Sequence, residues 1–416
     1  MRNRTTRLIA AATAVTSAFC LAACGADGES AGGKTTVTTW VYPVIFDEKE
    51  NAAYWSGLEK KFEKAHPDID VKVSTYPWAD RDTKLATALA ANKGPDVAYL
   101  IPDQLAAYQR NLVPADDYLA DADRAAYRDS ALKAVTVDGK AMATPVLMSA
   151  YPLMCNKKVL DAVGVDTVPS TWDDLAALGA KAKKKGYYAI TYSGDTTATL
   201  NMTYYPLLWQ AGGDVFSADG TKSAFASDAG VEALTWLKQF VDKGWTPKDL
   251  VTKTPSIEQT DLAKNKVACT WQNSAAEVES YWGEDDIVMG SALTGQKSVA
   301  YGTVGTLAMF RGADTGAAGQ WISFVAQPDN VAGLLTPGGY FGARTDGGDL
   351  YPGDTLQQAT EKVLDSADVG PLNTAARDVM GALAPQIQAA LLGKSTPKEA
   401  LDQAATAADQ IISRKR

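Results

Sequence analysis

Residues 58–73 read Leu-Glu-Lys-Lys-Phe-Glu-Lys-Ala-His-Pro-Asp-Ile-Asp-Val-Lys-Val, and this stretch decides the fold class. Its first half predicts an amphipathic helix, because Leu58 and Phe62 lie about one helical turn apart among charged residues and Pro67 ends the run. From residue 69 to residue 73, apolar side chains alternate with polar ones, which predicts a half-buried strand. A helix followed directly by a strand is one unit of an α/β fold.

The same alternation continues on both sides of this stretch. Residues 36–42 are β-branched and aromatic and predict an earlier strand, while Leu85 and Leu89 mark a second helix. Residues 96–100 predict another buried strand. We therefore expect an α/β fold, in which crossover connections place ligands at the carboxyl ends of strands.

The beginning of the chain predicts export. A basic region carries Arg2, Arg4 and Arg7. The uncharged run over 8–23 is too short for a comfortable membrane-spanning helix and is typical of a signal peptide, which we assign to 1–23. Residues 21–25, Leu-Ala-Ala-Cys-Gly, resemble the lipobox of bacterial lipoproteins, which implies acylation of Cys24 and a lipid anchor on the outer face of the cell membrane. Residues 24–34 then form a flexible tether.

Composition excludes several classes of function. The net charge of the 416 residues is −9, and loss of the three arginines with the signal peptide takes it to −12, so no basic footprint for nucleic acid is expected. His66 is the only histidine, so histidine-based catalytic sites and metal sites lack their parts. We expect no catalytic residues, no metal and no cofactor. Cys155 and Cys269 either pair or remain two separate buried thiols.

A series of short motifs in one order resembles family 1 extracellular solute-binding proteins of ABC importers, the maltose-binding-protein-like family. The motifs are the helix at 58–67, Gly-Pro-Asp-Val at 94–97, the segments 139–145 and 155–160, Pro-Ser-Thr-Trp-Asp-Asp-Leu at 169–175, Gly-Gly at 212–213 and Lys-Val-Ala-Cys-Thr at 266–270. The resemblance implies a periplasmic-binding-protein-like fold, with two α/β lobes joined by a crossing-strand hinge and a ligand cleft between them. It also implies a monomer that delivers its ligand to the permease subunits of an ABC importer.

The resemblance implies that each lobe is built from separate parts of the chain. We assign 35–141 and 267–310 to the first lobe, and 142–266 and 311–416 to the second. The length of the chain after the signal peptide, which exceeds one ordinary domain, agrees with two lobes.

Loops at strand ends carry the side chains that a sugar site needs. Aromatic faces pack against the C–H surfaces of sugars, and carboxylates and amides bond to the hydroxyls. The candidates are Trp40, Tyr42, Trp78, Asp80, Asp103, Asp195, Thr196, Trp271, Asn273, Tyr301, Gly302, Gly305, Gly339 and Tyr340. Trp40 and Trp271 are equally consistent with core positions, Asp103 with a helix cap, and Gly339 with a turn.

These loops favour a sugar or a short oligosaccharide as the ligand, but two alternatives stay open. Polyamines or another small solute suit acidic, aromatic loops, whereas phosphorylated solutes need arginine or lysine, of which the candidate loops are short. A surface lipoprotein glycosidase requires a pair of carboxylates, and the sequence does not give carboxylate separations.

Overall fold

Two large β-sheets and one separate two-stranded sheet organise the chain in a computed structural model, which describes residues 33–45, 47–78 and 81–415. The predicted signal peptide, the lipidation site Cys24 and the candidate Asp80 lie outside the described residues. The strands are β1 Thr35–Val41, β2 Ile69–Thr75, β3 Val97–Leu100, β4 Leu112–Val113, β5 Thr136–Val137, β6 Lys140–Ala141, β7 Thr144–Tyr151, β8 Met154–Asn156, β9 Tyr188–Ile190, β10 Val267–Thr270, β11 Ile287–Met289 and β12 Tyr301–Phe310.

Helices cover both sheets. They are α1 Glu48–Ala65, α2 Arg81–Ala90, α3 Pro102–Tyr108, α4 Asp121–Arg124, α5 Asp129–Val135, α6 Lys157–Val163, α7 Trp172–Lys184, α8 Tyr205–Gln210, α9 Asp228–Asp242, α10 Ala275–Trp282, α11 Thr315–Val325, α12 Pro328–Leu335, α13 Thr355–Glu361, α14 Ala376–Leu391 and α15 Pro397–Lys415. None of these helices combines the length and the apolar character that crossing a bilayer requires.

The first sheet has the strand order β2-β1-β3-β12-β4, and β7 pairs with β12. Strands β1, β2 and β3 run parallel, while β12 is antiparallel to its neighbours. Helix α1 buries Trp55, Leu58 and Phe62, as its spacing predicts, and the ring of Phe62 packs edge-on against Trp321 with centroids 5.2 Å apart. The carboxylate of Asp47 caps α1 by accepting two backbone N–H groups.

The second sheet has the order β11-β8-β10-β9, with β10 parallel to β9 and antiparallel to β8. Helices α7, α9, α14 and α15 contribute to the hydrophobic core beside it. Cys155 in β8 and Cys269 in β10 are register partners and form a disulfide, so the pairing that the sequence left open is made.

The chain crosses between the sheets several times. Strand β7 ends in the first sheet at Tyr151, and β8 begins in the second sheet at Met154. The chain returns between β11 and β12. It crosses again between Leu364, which packs in a core of the first lobe, and Ala375, which packs in the core of the second. These crossings form the predicted hinge between two α/β lobes.

The predicted segment boundaries need correction. Strand β7 lies in the first sheet, although 142–266 was assigned to the second lobe. Strands β10 and β11 lie in the second sheet, although 267–310 was assigned to the first lobe. Helices α11 and α12 pack in the core of the first lobe, although 311–416 was assigned to the second. An apolar run identifies a strand or helix, but its long-range pairing decides which lobe it joins.

Candidate functional site

A cleft runs between the two lobes and widens into a cavity of about 360 Å³, which we call the main cavity. Its lining consists of Pro43, Val44, Trp78, Arg81, Tyr99, Ile101, Leu147, Tyr151, Thr199, Met202, Glu277, Tyr301, Thr303 and Tyr340. The rings of tryptophan and tyrosine supply apolar faces with polar edges, and Arg81 and Glu277 supply charges of opposite sign. A cavity of this size holds a ligand of one to a few rings.

One wall of the main cavity is an aromatic stack in the first lobe. The ring of Trp78 lies over Tyr42 with centroids 5.0 Å apart and an interplanar angle of 26°. Tyr99 meets Trp78 edge-on at 5.9 Å, and the indole Nε1 of Trp78 donates a hydrogen bond to the carbonyl oxygen of Pro43 at 2.9 Å. Trp78 remains 38% exposed although it is held on three sides. The exposed part of its ring, with the guanidinium of Arg81 5.1 Å from the centroid, is therefore a platform for an apolar ligand surface.

A second aromatic pair lies where β7 meets β12. Tyr151 and Tyr301 are register partners whose rings stack 5.7 Å apart at 18°. Burial raises the pKa of Tyr301 to about 12, so its phenol is neutral at physiological pH. Gly305, four residues along β12, leaves the room that Tyr99 occupies, because a Cβ there would collide with the Tyr99 hydroxyl and with Leu147. The absence of a side chain at Gly305 thus allows Tyr99 to take its place in the cavity wall.

Glu277 brings a carboxylate to the main cavity from the second lobe. It lies in the first turn of α10, where its Oε2 accepts the backbone N–H of Ser274 at 2.8 Å and completes a capping box. Burial raises the pKa of Glu277 above its ordinary value of 4.5, although the bonds from Ser274 and Asn273 oppose the shift. Within the described ranges, no group of three or more His, Cys, Asp or Glu side chains is placed to hold a metal ion.

A charged network joins the lobes beside the main cavity. Asp103 in α3 is 1% exposed, and its Oδ2 accepts a hydrogen bond from Asn201 Nδ2 at 3.1 Å. The same oxygen lies 3.2 Å from Nε of Arg377 in α14. The N-cap of α3 is Ile101, so Asp103 bridges the lobes from inside its helix and is not the cap residue. It is buried next to the cavity and is not among the lining side chains.

The cleft continues past Trp78 into a second cavity of about 590 Å³, which we call the arginine cavity. Its lining consists of Trp78, Arg81, Thr83, Thr196, Thr197, Ala198, Thr199, Arg377, Met380 and Gly381. The candidate Thr196 lies here. The neighbouring candidate Asp195 lies outside this lining, and its Oδ1 accepts bonds from the backbone N–H and the hydroxyl of Thr197.

A small cavity of about 20 Å³ adjoins the main cavity at Tyr151 and Tyr340. The candidates Asn273 and Gly339 line it together with Tyr340, which also lines the main cavity. Gly339 has a backbone φ of +67°, so the turn at this position favours glycine, as the alternative interpretation held.

Other candidates lie away from the cavities. Trp40 is half-buried against Tyr76, with ring centroids 4.6 Å apart, and Trp271 is 5% exposed in the core of the second lobe. Tyr42 is 1% exposed and packs beneath the ring of Trp78, which it holds in place. Gly302 allows close approach of the chain, because a Cβ there would meet the carbonyl oxygen of Ser149 at 2.7 Å. For the two tryptophans, the core alternative fits the structure.

Several lining side chains were absent from the sequence-based candidates. They include Arg81, Tyr99, Tyr151, Thr199, Met202, Glu277, Thr303 and Arg377. One of them carried a usable signal, because Glu277 follows a strand in a Ser-x-x-Glu capping box. Arg377 carried no signal in the sequence, because it belongs to no recognisable motif and reaches the cleft from α14, near the end of the chain.

Known proteins resemble the chain over most of its length. The model of a family described as bacterial extracellular solute-binding proteins matches residues 47–332. A protein of Brucella abortus named only as a binding protein is 24% identical over 371 residues, or 86% of this chain and 90% of that protein. The diacetylchitobiose-binding protein DasA of Streptomyces coelicolor is 27% identical over 289 residues, or 65% of each chain.

Solved structures share the fold. An ABC transporter solute-binding protein of Thermotoga lettingae bound with α-D-tagatose aligns with a TM-score of 0.78 at 22% identity, over 91% of this chain and 100% of that chain. A substrate-binding protein of Listeria monocytogenes in complex with cycloalternan aligns with a TM-score of 0.79 at 21% identity, over 91% of this chain and 99% of that chain. The predicted fold class is confirmed.

Proposed function

Because this chain belongs to the family of bacterial extracellular solute-binding proteins, we propose that it captures a sugar or short oligosaccharide in the inter-lobe cleft and delivers it to the permease of an ABC importer. The observation that carries the proposal is the exposed Trp78 platform, held by Tyr42 and Tyr99 inside a cavity that both lobes line. Flat apolar faces with polar groups around them match the two kinds of surface on a sugar ring.

Closure of the lobes supports a role in transport. A ligand that contacts both walls of the cleft favours the closed form, because only that form makes both sets of contacts. A permease can then distinguish the loaded protein from the empty one by shape.

The relatives support a carbohydrate ligand over the alternatives. Diacetylchitobiose, tagatose and cycloalternan are all saccharides, and each is bound by a protein that resembles this chain. A polyamine would meet Arg81 and Arg377 in the cleft against Glu277, the one carboxylate of the described lining. Like charges disfavour that ligand. The family consists of binding proteins, and we propose that this chain likewise binds its ligand without turnover.

Thermal unfolding of the purified protein with neutral and acidic saccharides, polyamines and amino acids tests the proposal. A ligand at a hundred times its dissociation constant adds about 2.7 kcal/mol to the stability of the folded form. We expect stabilisation by at least one class of saccharide, with the saccharide recovered uncleaved. Stabilisation by polyamines alone would refute the sugar, and a cleaved product would refute binding without turnover.

The family is extracellular, so the protein is exported. We further propose that acylated Cys24 anchors it to the outer face of the cell membrane as a monomer, on the strength of the Leu-Ala-Ala-Cys-Gly sequence at 21–25. Fractionation of expressing bacteria tests the anchor. The natural chain should remain with the membrane, and Cys24→Ala should not be acylated. Equal acylation of both chains would exclude Cys24 as the site.

A further inference from the structure

Two arginines line the arginine cavity at one end of the cleft. Arg81 and Arg377 line it with the hydroxyls of Thr83, Thr196, Thr197 and Thr199, and no carboxylate belongs to its described lining. Arg81 and Trp78 also line the main cavity, so the two spaces are continuous along one ligand path. Glu277, the carboxylate of the main cavity, does not line this end.

Two helices begin at this cavity. Arg81 and Thr83 lie in the first described turn of α2, and Arg377 lies in the first turn of α14. The amino end of a helix carries a partial positive charge and unpaired backbone N–H groups, both of which attract anions. The helix ends therefore add to the charge of the two guanidinium groups.

Three aspartates lie near the two arginines, and each already has a charged partner. Asp82 accepts a hydrogen bond from Gln104 and lies 3.5 Å from Nη2 of Arg377. Asp103 is 3.2 Å from Nε of Arg377. Asp378, in the first turn of α14, pairs with Lys415 at 2.7 Å. These carboxylates offset the charge of Arg377 more closely than that of Arg81.

Arg81 keeps its donors for the cleft. Among the described residues, the nearest carboxylate oxygen is that of Asp82, 3.9 Å from Nε, and the guanidinium makes no hydrogen bond to any of them. The guanidinium lies over the ring of Trp78, 5.1 Å from its centroid, and the side chain is 16% exposed. Burial and the neighbouring Arg377 lower the pKa of Arg81. An anion bound between the two arginines would raise that pKa again.

From this placement we infer that the ligand is a saccharide with a negatively charged substituent, a carboxylate or a phosphate, that binds at Arg81 while a sugar ring stacks on Trp78. The inference rests on the proposed function and specifies its substrate class. The planar fork of an arginine donates two parallel hydrogen bonds to a carboxylate or a phosphate, and the hydroxyls of Thr83 and Thr196 supply further donors. This corrects the expectation from the candidate loops, which are short of arginine: both arginines come from helices.

Titration calorimetry at low and high salt tests the inference. The probes are oligogalacturonates and oligoglucuronates, hexose phosphates, and the neutral saccharide that corresponds to each. We expect an acidic saccharide to bind tightest and to lose affinity as salt rises. Preference for uronates or for phosphates identifies the substituent.

Variants assign the effect to Arg81. Arg81→Gln should weaken the acidic saccharide about tenfold or more while changing the neutral counterpart much less. Arg81→Lys keeps the positive charge but loses the planar fork of donors. Its affinity for the acidic saccharide should therefore fall between that of the natural protein and that of Arg81→Gln. Arg110→Gln, an exposed arginine outside the cleft, is the matched control and should leave affinity unchanged. Thermal unfolding of each variant confirms that it is folded.

The outcomes separate the inference from the proposed function. If a neutral saccharide binds more tightly than its acidic counterpart, the inference fails and the sugar-binding function stands. If Arg81→Gln weakens acidic and neutral ligands equally, the inference also fails, because the arginine then binds hydroxyls. If no saccharide of either class binds, the proposed function fails and the inference fails with it.

Discussion

Asp103 and Arg377 belong to different lobes, and Oδ2 of the buried carboxylate lies 3.2 Å from Nε of the guanidinium. The chain separates the two residues widely, and the lobes bring them together beside the cleft. The ion pair therefore exists only when the lobes are in this arrangement, so it contributes to the energy of the hinge as well as to folding.

Asp103→Asn should lower the free energy of unfolding by about 3 kcal/mol, because it removes the charge that Arg377 faces in a buried setting. Denaturant unfolding measures the loss. The matched control is Asp365→Asn, since Asp365 pairs with Arg128 at 3.6 Å but is 64% exposed. Exposed pairs contribute about 1 kcal/mol or less. Equal effects of the two variants would contradict a special role for the inter-lobe pair.

Trp78→Ala should weaken saccharide binding about tenfold while leaving the fold stable, because the ring is 38% exposed and its outer face is the proposed platform. Titration calorimetry measures affinity, and thermal unfolding reports stability. Leu392→Ala is the control, since Leu392 is another large hydrophobic side chain, 41% exposed, outside the cleft. Unchanged affinity of Trp78→Ala would exclude the ring from the binding site.

Gly305→Ala should destabilise the protein by about 1–3 kcal/mol, because the new methyl group meets the Tyr99 hydroxyl inside a packed wall. Gly57→Ala should instead stabilise the protein by about 1 kcal/mol, because alanine favours a helix over glycine by that amount. Gly57 lies in α1, where a Cβ would have no heavy atom within 4 Å. Denaturant unfolding of both variants checks the pair. A neutral Gly305→Ala would show that Tyr99 moves aside without cost.

Glu277→Gln should raise stability at pH 7 and flatten its dependence on pH. The pKa of Glu277 is raised by burial in the folded state, so above its ordinary value of 4.5 the unfolded chain releases this proton first. Stability from this group is then lost as pH rises through the folded pKa. Unfolding measured from pH 4 to pH 8 tests the sign. Glu258→Gln, an exposed position whose pKa is shifted downward, is expected to do the reverse.

The local elements were predictable because their causes are local. Thr396 and Glu399 form the capping box of α15, and α1 buries the face that its spacing indicates. The lobe boundaries and the two arginines were not predictable, because Arg81 and Arg377 meet only after both lobes have folded. Trp271 shows the same limit: a tryptophan after a strand fits a core or a cleft, and packing from other elements places it in the core.

The Cys155–Cys269 disulfide joins two residues that are 114 positions apart in sequence. The segment between them leaves the second sheet after β8 and returns to it at β10. It crosslinks two strands of the second sheet, and within the part of the chain that the structure describes no disulfide joins the two lobes. The crosslink therefore lies wholly within the second lobe and does not restrain the opening of the cleft between the lobes.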